Sequence, residues 1–215
     1  MLIAEKYRSF APLYDLLSAE WPVYRAGRKI GIESLDLHPG DQVLDIGCGT
    51  GLNFGLLQQR IGPGGTIVGI DRSPDMLAQA RRKATRNDWT NVILIEADAT
   101  TLTPTAIRAD IAAQGGREYS EAALATYALS LMTDWETAWT NMILMSSPGA
   151  SMGVVDMQEP TGLHSLMAPL ARAACHLGGA DITAHPWTGV EHNCADVMPA
   201  SARGGHLQIR TGRLR

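Results

Sequence analysis

Three glycines at alternating positions constrain this chain more than any other feature of its sequence. The run Val43–Gly51 places Gly47, Gly49 and Gly51 directly after an apolar segment that is typical of a buried strand. Glycine tolerates positive φ angles and lets a backbone approach a ligand closely, because it has no Cβ. In α/β sheets such loops lie at the carboxyl ends of strands, where ligands bind. The run therefore predicts a ligand-binding loop, against the alternative of a glycine turn that binds nothing.

Two classes of cofactor compete for a glycine loop of this kind. A dinucleotide requires Gly-x-Gly-x-x-Gly or a final alanine, but Leu52 stands in that third position and the small residue comes one place early, at Gly51. Asp45 also lies inside the strand, two residues before the first glycine. A buried carboxylate would repel a pyrophosphate and attract the positively charged end of a ligand. The loop therefore favours a cofactor with a cationic group over NAD.

Strand-like and helix-like segments alternate from residue 42 to about 156. The segments predicted as strands are 42–46, 66–70, 92–95, 122–127 and 150–155. The segments predicted as helices are 52–61, 134–145 and a helix from Pro74, after the start signal Ser73-Pro74, to about Arg86. Gly204-Gly205 predicts a turn between two closing strands, the last of which is His206–Arg210. This pattern predicts an α/β fold with a doubly wound, mostly parallel sheet and a C-terminal antiparallel strand pair.

Length and composition set broad limits on function. The chain has 215 residues, of which 45% are hydrophobic, and this fits one domain with a full core. The net charge of −4 argues against a general nucleic-acid binder. The cysteines at 48, 175 and 194 are widely spaced, which predicts no disulfide framework and no metal site and favours a cytoplasmic location. We expect no signal peptide and no membrane span, because the first twenty residues are charged and the longest nearly apolar run is 122–132.

Four segments together resemble the motifs of class I S-adenosylmethionine-dependent methyltransferases. These segments are Val43–Gly51, Val68–Leu77, Leu94–Ala99 and Ala125–Met132. The last is followed by Asp134-Trp135 and a predicted helix, and the resemblance covers residues 1–156 closely and the rest loosely. It implies a seven-stranded, Rossmann-like methyltransferase fold, an enzyme, S-adenosyl-L-methionine as the cofactor and S-adenosyl-L-homocysteine as its product.

The same resemblance assigns cofactor contacts to individual residues. The residues expected to surround the methionine part of the cofactor are Asp45, Gly47, Cys48, Gly49 and Gly51. Asp71 is expected to accept hydrogen bonds from both ribose hydroxyls. The residues expected to flank or contact the adenine are Arg72, Met76, Asp98 and Ala99. Within that group Asp98 would accept from the adenine amino group, with Glu96 as a nearby alternative.

Candidate catalytic residues follow from the chemistry of methyl transfer. An in-line displacement from a sulfonium depends mainly on positioning, and a base is needed only when the acceptor must lose a proton. His164 and His176 are the preferred bases because they lie at the two ends of a helix-like segment, 163–177. Tyr127 ends the fourth strand, where its ring could line the acceptor pocket or contact the sulfonium. Tyr14 resembles a residue of the family's N-terminal cover and is expected to reach the cofactor carboxylate. Each of these could instead be an ordinary core or surface residue.

We expect one domain over residues 1–215. Its parts are an N-terminal helical lid (1–40), a cofactor-binding core (41–156), a helical acceptor-pocket segment (157–193) and a closing strand pair (194–212). Arg25, Arg28 and Lys29 form a basic face that could meet an anionic headgroup in a peripheral contact with lipid. The expected partner is a small-molecule acceptor rather than nucleic acid, and the chain is expected to be a monomer or a homodimer.

The identity of the acceptor stays open at this point. The pattern resembles bacterial relatives of quinone-ring C-methyltransferases and of phospholipid-headgroup N-methyltransferases, and the Leu- and Met-rich stretch 163–177 favours an apolar acceptor. The family's Asn/Asp-Pro-Pro-Tyr/Phe signature for exocyclic amines is absent after the fourth strand, where Thr126–Leu129 stands. Two alternatives remain, a non-catalytic cofactor-binding protein of this fold and an NAD-dependent oxidoreductase.

Overall fold

The computed structural model describes residues 24–160 and 179–215 of the chain. Within these ranges seven strands form one sheet: β1 (Gln42–Ile46), β2 (Thr66–Asp71), β3 (Val92–Glu96), β4 (Ser120–Thr126), β5 (Ser146–Met157), β6 (Cys194–Ala202) and β7 (Leu207–Leu214). The α-helices of the same ranges are α1 (Arg25–Glu33), α2 (Phe54–Ile61), α3 (Pro74–Arg86), α4 (Pro104–Ala113), α5 (Trp135–Leu144) and α6 (Thr188–Asn193). A short 3-10 turn, Leu129–Leu131, follows β4.

The order of the strands places a crevice at the centre of the sheet. The order is β3-β2-β1-β4-β5-β7-β6; the first five strands run parallel, and β7 lies antiparallel between β5 and β6. Strand order reverses between β1 and β4, and sheets of this kind bind ligands outside the carboxyl ends of the strands at such a reversal. The predicted α/β class, the parallel sheet and the antiparallel closing pair are confirmed.

Apolar strands buried on both faces hold the layers together. All five residues of β1 are buried; Val43 packs into the core on one face of the sheet, and Leu44 and Ile46 pack into the core on the other. This alternation follows from the two-residue period of a strand. Helix α2 covers the first face with Phe54 and Leu57, while α5 covers the second. Each fully buried Leu, Ile or Phe contributes about 1.5–3 kcal/mol, so the sheet is a rigid base for the loops at its edge.

The helix start predicted at Ser73-Pro74 is confirmed by its geometry. Pro74 is the first helical residue, and the Ser73 hydroxyl accepts a hydrogen bond from the Met76 backbone N–H at 3.3 Å. Helix α3 ends at Arg86 as predicted. Proline fits this first position because its missing N–H would have no partner there.

Two elements differ from the sequence prediction. Helix α4 (Pro104–Ala113) was not predicted, although Thr103-Pro104 carries the same kind of start signal as Ser73-Pro74. Strand β5 begins at Ser146 rather than at residue 150, with Pro148 and Gly149 inside its first part. The pairing with β4 shifts register between Ser120 and Ala122, which is how the strand accommodates them.

Some predicted features fall where the structure gives no description. Residues 1–23 of the expected N-terminal helical lid and the helix-like segment 163–177 lie outside the described residues. Helix α1 lies in the described part of residues 1–40. Among residues 24–160 and 179–215, none of the helices has the length and hydropathy needed to cross a membrane.

Candidate cofactor site

The glycine loop is tightly packed at its two ends and open in the middle. Gly47, Gly49 and Gly51 have φ angles of 65°, 55° and 74°, in the left-handed region that favours glycine. A Cβ on Gly47 would lie 2.4 Å from the Cβ of Ala128, and one on Gly51 would lie 2.6 Å from the Phe54 ring. No atom of the described part of the chain lies within 4 Å of a Cβ built on Gly49. The loop can therefore receive a ligand over Gly49.

This difference predicts separable effects of two alanine substitutions. Gly47→Ala adds a steric clash to the backbone strain, and we expect it to lower the free energy of unfolding by about 3 kcal/mol or more. Gly49→Ala adds only the backbone strain, about 1 kcal/mol, but fills the space over the loop. Chemical denaturation should rank Gly47→Ala as the less stable variant, while a binding titration should show a large loss of cofactor affinity for Gly49→Ala. Equal stability of the two variants would contradict the packing described.

Asp71 ties the end of β2 to the glycine loop. Its Oδ2 accepts a hydrogen bond from the Gly49 N–H at 2.8 Å, and its Oδ1 accepts one from the Ser73 N–H at 2.9 Å. Burial raises the pKa of Asp71, against the opposing effect of these two hydrogen bonds and of the Arg72 charge. An ionised carboxylate can accept about four hydrogen bonds, so both oxygens keep capacity for hydroxyl donors of a ligand.

Asp98 lies at the next strand end towards the edge of the sheet. Its Oδ1 accepts hydrogen bonds from the Thr100 N–H and hydroxyl at 2.9 and 2.6 Å, and its Oδ2 lies 4.0 Å from Nη1 of Arg72. Partial burial raises the pKa of Asp98, but the Thr100 hydrogen bonds and the Arg72 charge outweigh it and lower the pKa overall. Asp98 is therefore an acceptor. The neighbouring Ala99 and Met76 are buried.

Asp45 is a carboxylate buried under the glycine loop. It is fully buried, and Nδ2 of Asn53 donates to its Oδ1 at 2.8 Å. Its Oδ2 is also buried and has no hydrogen-bond partner among the described residues. Burial raises the pKa of Asp45 to about 7, although the Asn53 hydrogen bond and the Arg28 charge lower it. A buried acceptor without a partner calls for an explanation. The positively charged end of a ligand would supply the missing donor, so the residues present fit a cationic group.

Arg28 lies inside the protein rather than on the basic surface face that the sequence predicted. Only 7% of the residue is exposed, and Nη1 donates to Asn53 Oδ1 at 2.8 Å and to Thr126 Oγ1 at 2.5 Å. The prediction of a headgroup-binding face that includes Arg28 is therefore wrong. Gly27 and Gly31 are also buried and let α1 approach the sheet closely, so this buried face brings the arginine into the site. The small residues on that face were the signal that sequence reasoning missed.

Tyr127 follows the last residue of β4 instead of ending the strand. It has a φ of 55°, which is unusual for a tyrosine, and its N–H donates to the Val155 carbonyl at 2.7 Å. Its hydroxyl donates to the Tyr24 carbonyl at 2.8 Å, and its ring lies 5.3 Å from the Arg28 guanidinium. A Cβ on Gly27 would lie 2.3 Å from that hydroxyl, so the contact requires glycine there. Tyr127 therefore joins α1 to the carboxyl edge of the sheet.

The remaining predicted residues fall into two groups. Tyr14, His164 and His176 lie outside the described residues. Cys48 is buried, and burial raises the pKa of its thiol well above the usual value, which favours the protonated thiol. No cluster of metal-ligating side chains occurs in the described ranges. Among the described histidines, His206 lies near this edge, with its ring centroid 6.5 Å from that of Tyr24.

A family model described as a methyltransferase domain matches residues 37–185, more than half of the chain. The chain belongs to this methyltransferase family. The predicted membership of the S-adenosylmethionine-dependent class is confirmed. The match includes the glycine loop and the ends of β1 to β5, which are the elements that form the crevice.

Two curated relatives share fewer than a third of the aligned residues with this chain. The chain is 24% identical over 161 residues to a demethylmenaquinone methyltransferase of Shouchella clausii, covering 74% of this chain and 64% of the relative. It is 31% identical over 99 residues to the aklanonic acid methyltransferase DauC of a Streptomyces species, covering 46% of this chain and 44% of the relative. The chain thus spans less than two thirds of these curated relatives. A SAM-dependent methyltransferase of Aquifex aeolicus has a similar fold, with a TM-score of 0.59, 13% identity and coverage of 87% and 89% of the two chains.

Proposed function

We propose that this chain binds S-adenosyl-L-methionine at the carboxyl ends of β1 to β3 and transfers its methyl group to a small, largely apolar acceptor. The observation that carries the proposal is the unpartnered, buried Asp45 Oδ2 beneath a glycine loop that is open at Gly49. A dinucleotide would bring a pyrophosphate to this loop, and its negative charge would be repelled by the carboxylate. The cationic amino end of S-adenosylmethionine is attracted by it.

Different residues along the crevice would contact different parts of the cofactor. Asp45 would hold the positive end, and the open backbone at Gly49 would lie against the methionine part. Asp71 would accept from the ribose hydroxyls through the two oxygens already oriented by backbone N–H groups. The residues proposed for the adenine are Arg72, Met76, Asp98 and Ala99. Tyr14 remains proposed for the cofactor carboxylate.

The mechanism we propose is an in-line displacement in which the protein acts mainly by positioning. When bound, S-adenosylmethionine supplies a methyl group already activated by its sulfonium. The protein fixes the backbone around the reacting centre, because Tyr127 is held at its N–H, its hydroxyl and its ring. Holding two reactants in the right geometry can contribute about 7–11 kcal/mol in favourable cases. His164 and His176 remain proposed as bases for an acceptor that must lose a proton.

Two partly buried tyrosines beside this edge, packed on a buried apolar cluster, support a quinone-like, phenol-like or lipid-like acceptor. The Tyr24 and Tyr127 rings lie 4.8 Å apart at an angle of 57°. They pack against an apolar cluster of Val155, Met157, Ile182, Leu207 and Ile209. The relatives named above act, by their names, on a demethylmenaquinone and on aklanonic acid. Residues 1–40 and 157–193 are proposed as the lid and the acceptor segment.

The experiment that tests this function identifies the product. The protein is incubated with labelled S-adenosylmethionine and an extract of quinones, phenols and lipids, and methylated products are identified by mass. We expect a product heavier by one methylene unit and an equal amount of S-adenosylhomocysteine. Cofactor binding without turnover of any acceptor would favour the non-catalytic alternative. Binding of NADH in place of S-adenosylmethionine would favour the oxidoreductase.

Two substitutions at Tyr127 separate its ring from its hydroxyl. Tyr127→Leu removes the aromatic face, and we expect kcat/KM for the acceptor to fall about 10-fold, because aromatic contacts of this kind contribute about 0.5–1.5 kcal/mol. Tyr127→Phe keeps the ring and removes the hydroxyl that donates to the Tyr24 carbonyl, so kcat/KM should stay within about 3-fold if that hydroxyl is mainly structural. Steady-state kinetics with the identified acceptor measures both. Equal losses in the two variants would show that the ring does not contact the acceptor.

A further inference from the structure

Asn53 occupies the N-cap position of α2 but does not cap the helix. Its φ and ψ of −76° and −28° are helical, and its side chain makes no cap hydrogen bond. Asparagine is among the preferred N-cap residues because its side-chain oxygen accepts from an N–H of the first turn. Here the amide turns into the protein, and only 1% of the residue is exposed. Its polar atoms are therefore used for something other than helix capping.

The amide lies between a buried carboxylate and a buried guanidinium. Its Nδ2 donates to Asp45 Oδ1 at 2.8 Å and to Thr126 Oγ1 at 3.1 Å. Its Oδ1 accepts from Arg28 Nη1 at 2.8 Å. Each end of the amide thus faces the charged group that it can bind, since an N–H suits a carboxylate and a carbonyl oxygen suits a guanidinium.

This arrangement prevents a direct pair between the two charges. Arginine and aspartate that meet in a low-dielectric interior form bidentate hydrogen bonds that use both carboxylate oxygens. With Asn53 between them, only Oδ1 of Asp45 is used, and Oδ2 has no partner within the described residues. The Arg28 charge still favours the ionised form of Asp45 from a distance, because Coulomb attraction acts without direct contact.

We propose that Asn53 is a positioning residue of the cofactor site, which fixes Asp45 through Oδ1 and separates it from Arg28, so that Oδ2 is kept for a cationic ligand group. The inference rests on the proposed function, because it takes the amino end of S-adenosylmethionine as that group. It adds a residue from the start of α2 to the residues that determine which charge the site accepts.

The test replaces the amide by an apolar side chain of similar size. Asn53→Leu removes the donor to Asp45 while it still separates Asp45 from Arg28. Loss of a hydrogen bond to the ionised form raises the pKa of a carboxyl group. We expect the midpoint of the pH dependence of cofactor affinity to move up by about one pH unit. At pH 7 this weakens binding about 5-fold, while at pH 9 binding stays within about 2-fold of the wild type. KM for the cofactor should rise in parallel with the loss of affinity, while kcat should stay unchanged.

A second readout needs no cofactor. Carbon-13 NMR of the Asp45 carboxyl group in the unliganded protein should show titration at higher pH in Asn53→Leu than in the wild type. The matched control is Asn91→Leu, since Asn91 is also partly buried and donates to the Gly65 carbonyl at 2.8 Å, away from the carboxyl edge. This control should leave unchanged both the midpoint of the pH dependence of cofactor affinity and the midpoint of the Asp45 titration.

The possible outcomes separate the two proposals. If Asn53→Leu fails to fold, Asn53→Ala takes its place, because it removes the same donor to Asp45 without adding a charge. Wild-type protein that binds no S-adenosylmethionine would overturn the proposed function. An unchanged Asp45 titration in a folded Asn53 variant would overturn the positioning role, whatever the cofactor does.

Discussion

Asp45→Asn is expected to abolish most of the cofactor affinity and, at the same time, to stabilise the free protein. At pH 8 we expect binding of S-adenosylmethionine to weaken about 100-fold or more, because removing one partner of a buried charge pair costs about 2–5 kcal/mol. The free protein should gain stability, since the substitution removes a buried carboxylate whose pKa burial has raised to about 7.

The stability gain follows from the linkage between protonation and folding. A shift from 3.8 to about 7 corresponds to about 4 kcal/mol at a pH above both values. Part of that is lost again because the asparagine amide is itself buried. With about 2–4 °C per kcal/mol for a domain of this size, the melting temperature at pH 8 should rise by at least about 3 °C. A fall in melting temperature would contradict our description of Asp45 as a destabilised carboxylate.

The same carboxylate gives stability and affinity opposite pH dependences. Because the folded protein keeps a proton on Asp45 that the unfolded chain releases, the free energy of unfolding falls as pH rises from about 4 to about 7. Affinity for a cationic cofactor rises as Asp45 ionises, so binding strengthens through about pH 7. The charged or titratable groups that act on Asp45 from neighbouring elements are Arg28, Cys48 and Asp71. Both dependences should flatten in Asp45→Asn.

Asp156 provides the matched comparison for stability. It is fully buried like Asp45, and burial raises its pKa to about 6. Both of its oxygens are used, however: Oδ1 accepts from the Ser130 hydroxyl at 2.6 Å and from the Met157 N–H at 2.9 Å, and Oδ2 accepts from the Ser130 N–H at 3.1 Å. Asp156→Asn would turn an amide N–H towards one of these donors, and this cost offsets the gain from removing a buried carboxylate. Differential scanning calorimetry at pH 8 should therefore give a clearly larger rise in melting temperature for Asp45→Asn than for Asp156→Asn.

Asp71→Asn is expected to cause the second large loss, about 100-fold in cofactor affinity. The carboxylate accepts one backbone N–H on each oxygen, and an asparagine must turn its amide N–H towards one of these donors. It also loses a charged acceptor for the ribose hydroxyls, where hydrogen bonds to a charged group contribute about 1.5–3 kcal/mol each. Isothermal titration calorimetry with S-adenosylhomocysteine measures the effect without turnover.

A nearby acidic residue serves as the control for Asp71. Asp75 lies in the first turn of α3 and has no assigned contact with the cofactor. Asp75→Asn removes an equal charge at a helix N-terminus, which costs about 0.3–1 kcal/mol of stability, and should leave the affinity within about 2-fold. If Asp71→Asn and Asp75→Asn weaken binding equally, general electrostatics rather than ribose contact would explain the loss.

Local sequence patterns predicted the structure correctly where it depends on residues that are close together in the chain. The run Val43–Gly51 predicted both the strand and the loop, because apolar spacing and glycine conformation act within a few residues. The start of α3 followed from Ser73-Pro74 for the same reason. Helix α4 was missed although Thr103-Pro104 offered a comparable signal, since its residues follow no clear apolar period.

The site depended on contacts that no local pattern encodes. Arg28 and Asn53 are 25 positions apart, and Thr126 is 98 positions from Arg28, so only the folded sheet brings them together. On its own, Arg28 looked like part of a solvated basic face. Its burial is explained by Gly27 and Gly31, because these small residues allow α1 to pack closely against the sheet. A chain with such small residues around one arginine is a candidate for a buried charge.

A crystal structure of the wild-type protein with S-adenosylhomocysteine bound would decide whether Asp45 holds the cofactor. We expect the cofactor amino group to lie within hydrogen-bond distance of Asp45 Oδ2, directly or through one ordered water, with the chain at Gly49 against the methionine part. We also expect the ribose hydroxyls to donate hydrogen bonds to Asp71. An amino group held elsewhere, with Asp45 Oδ2 still without a partner in the complex, would contradict the proposed role of Asp45.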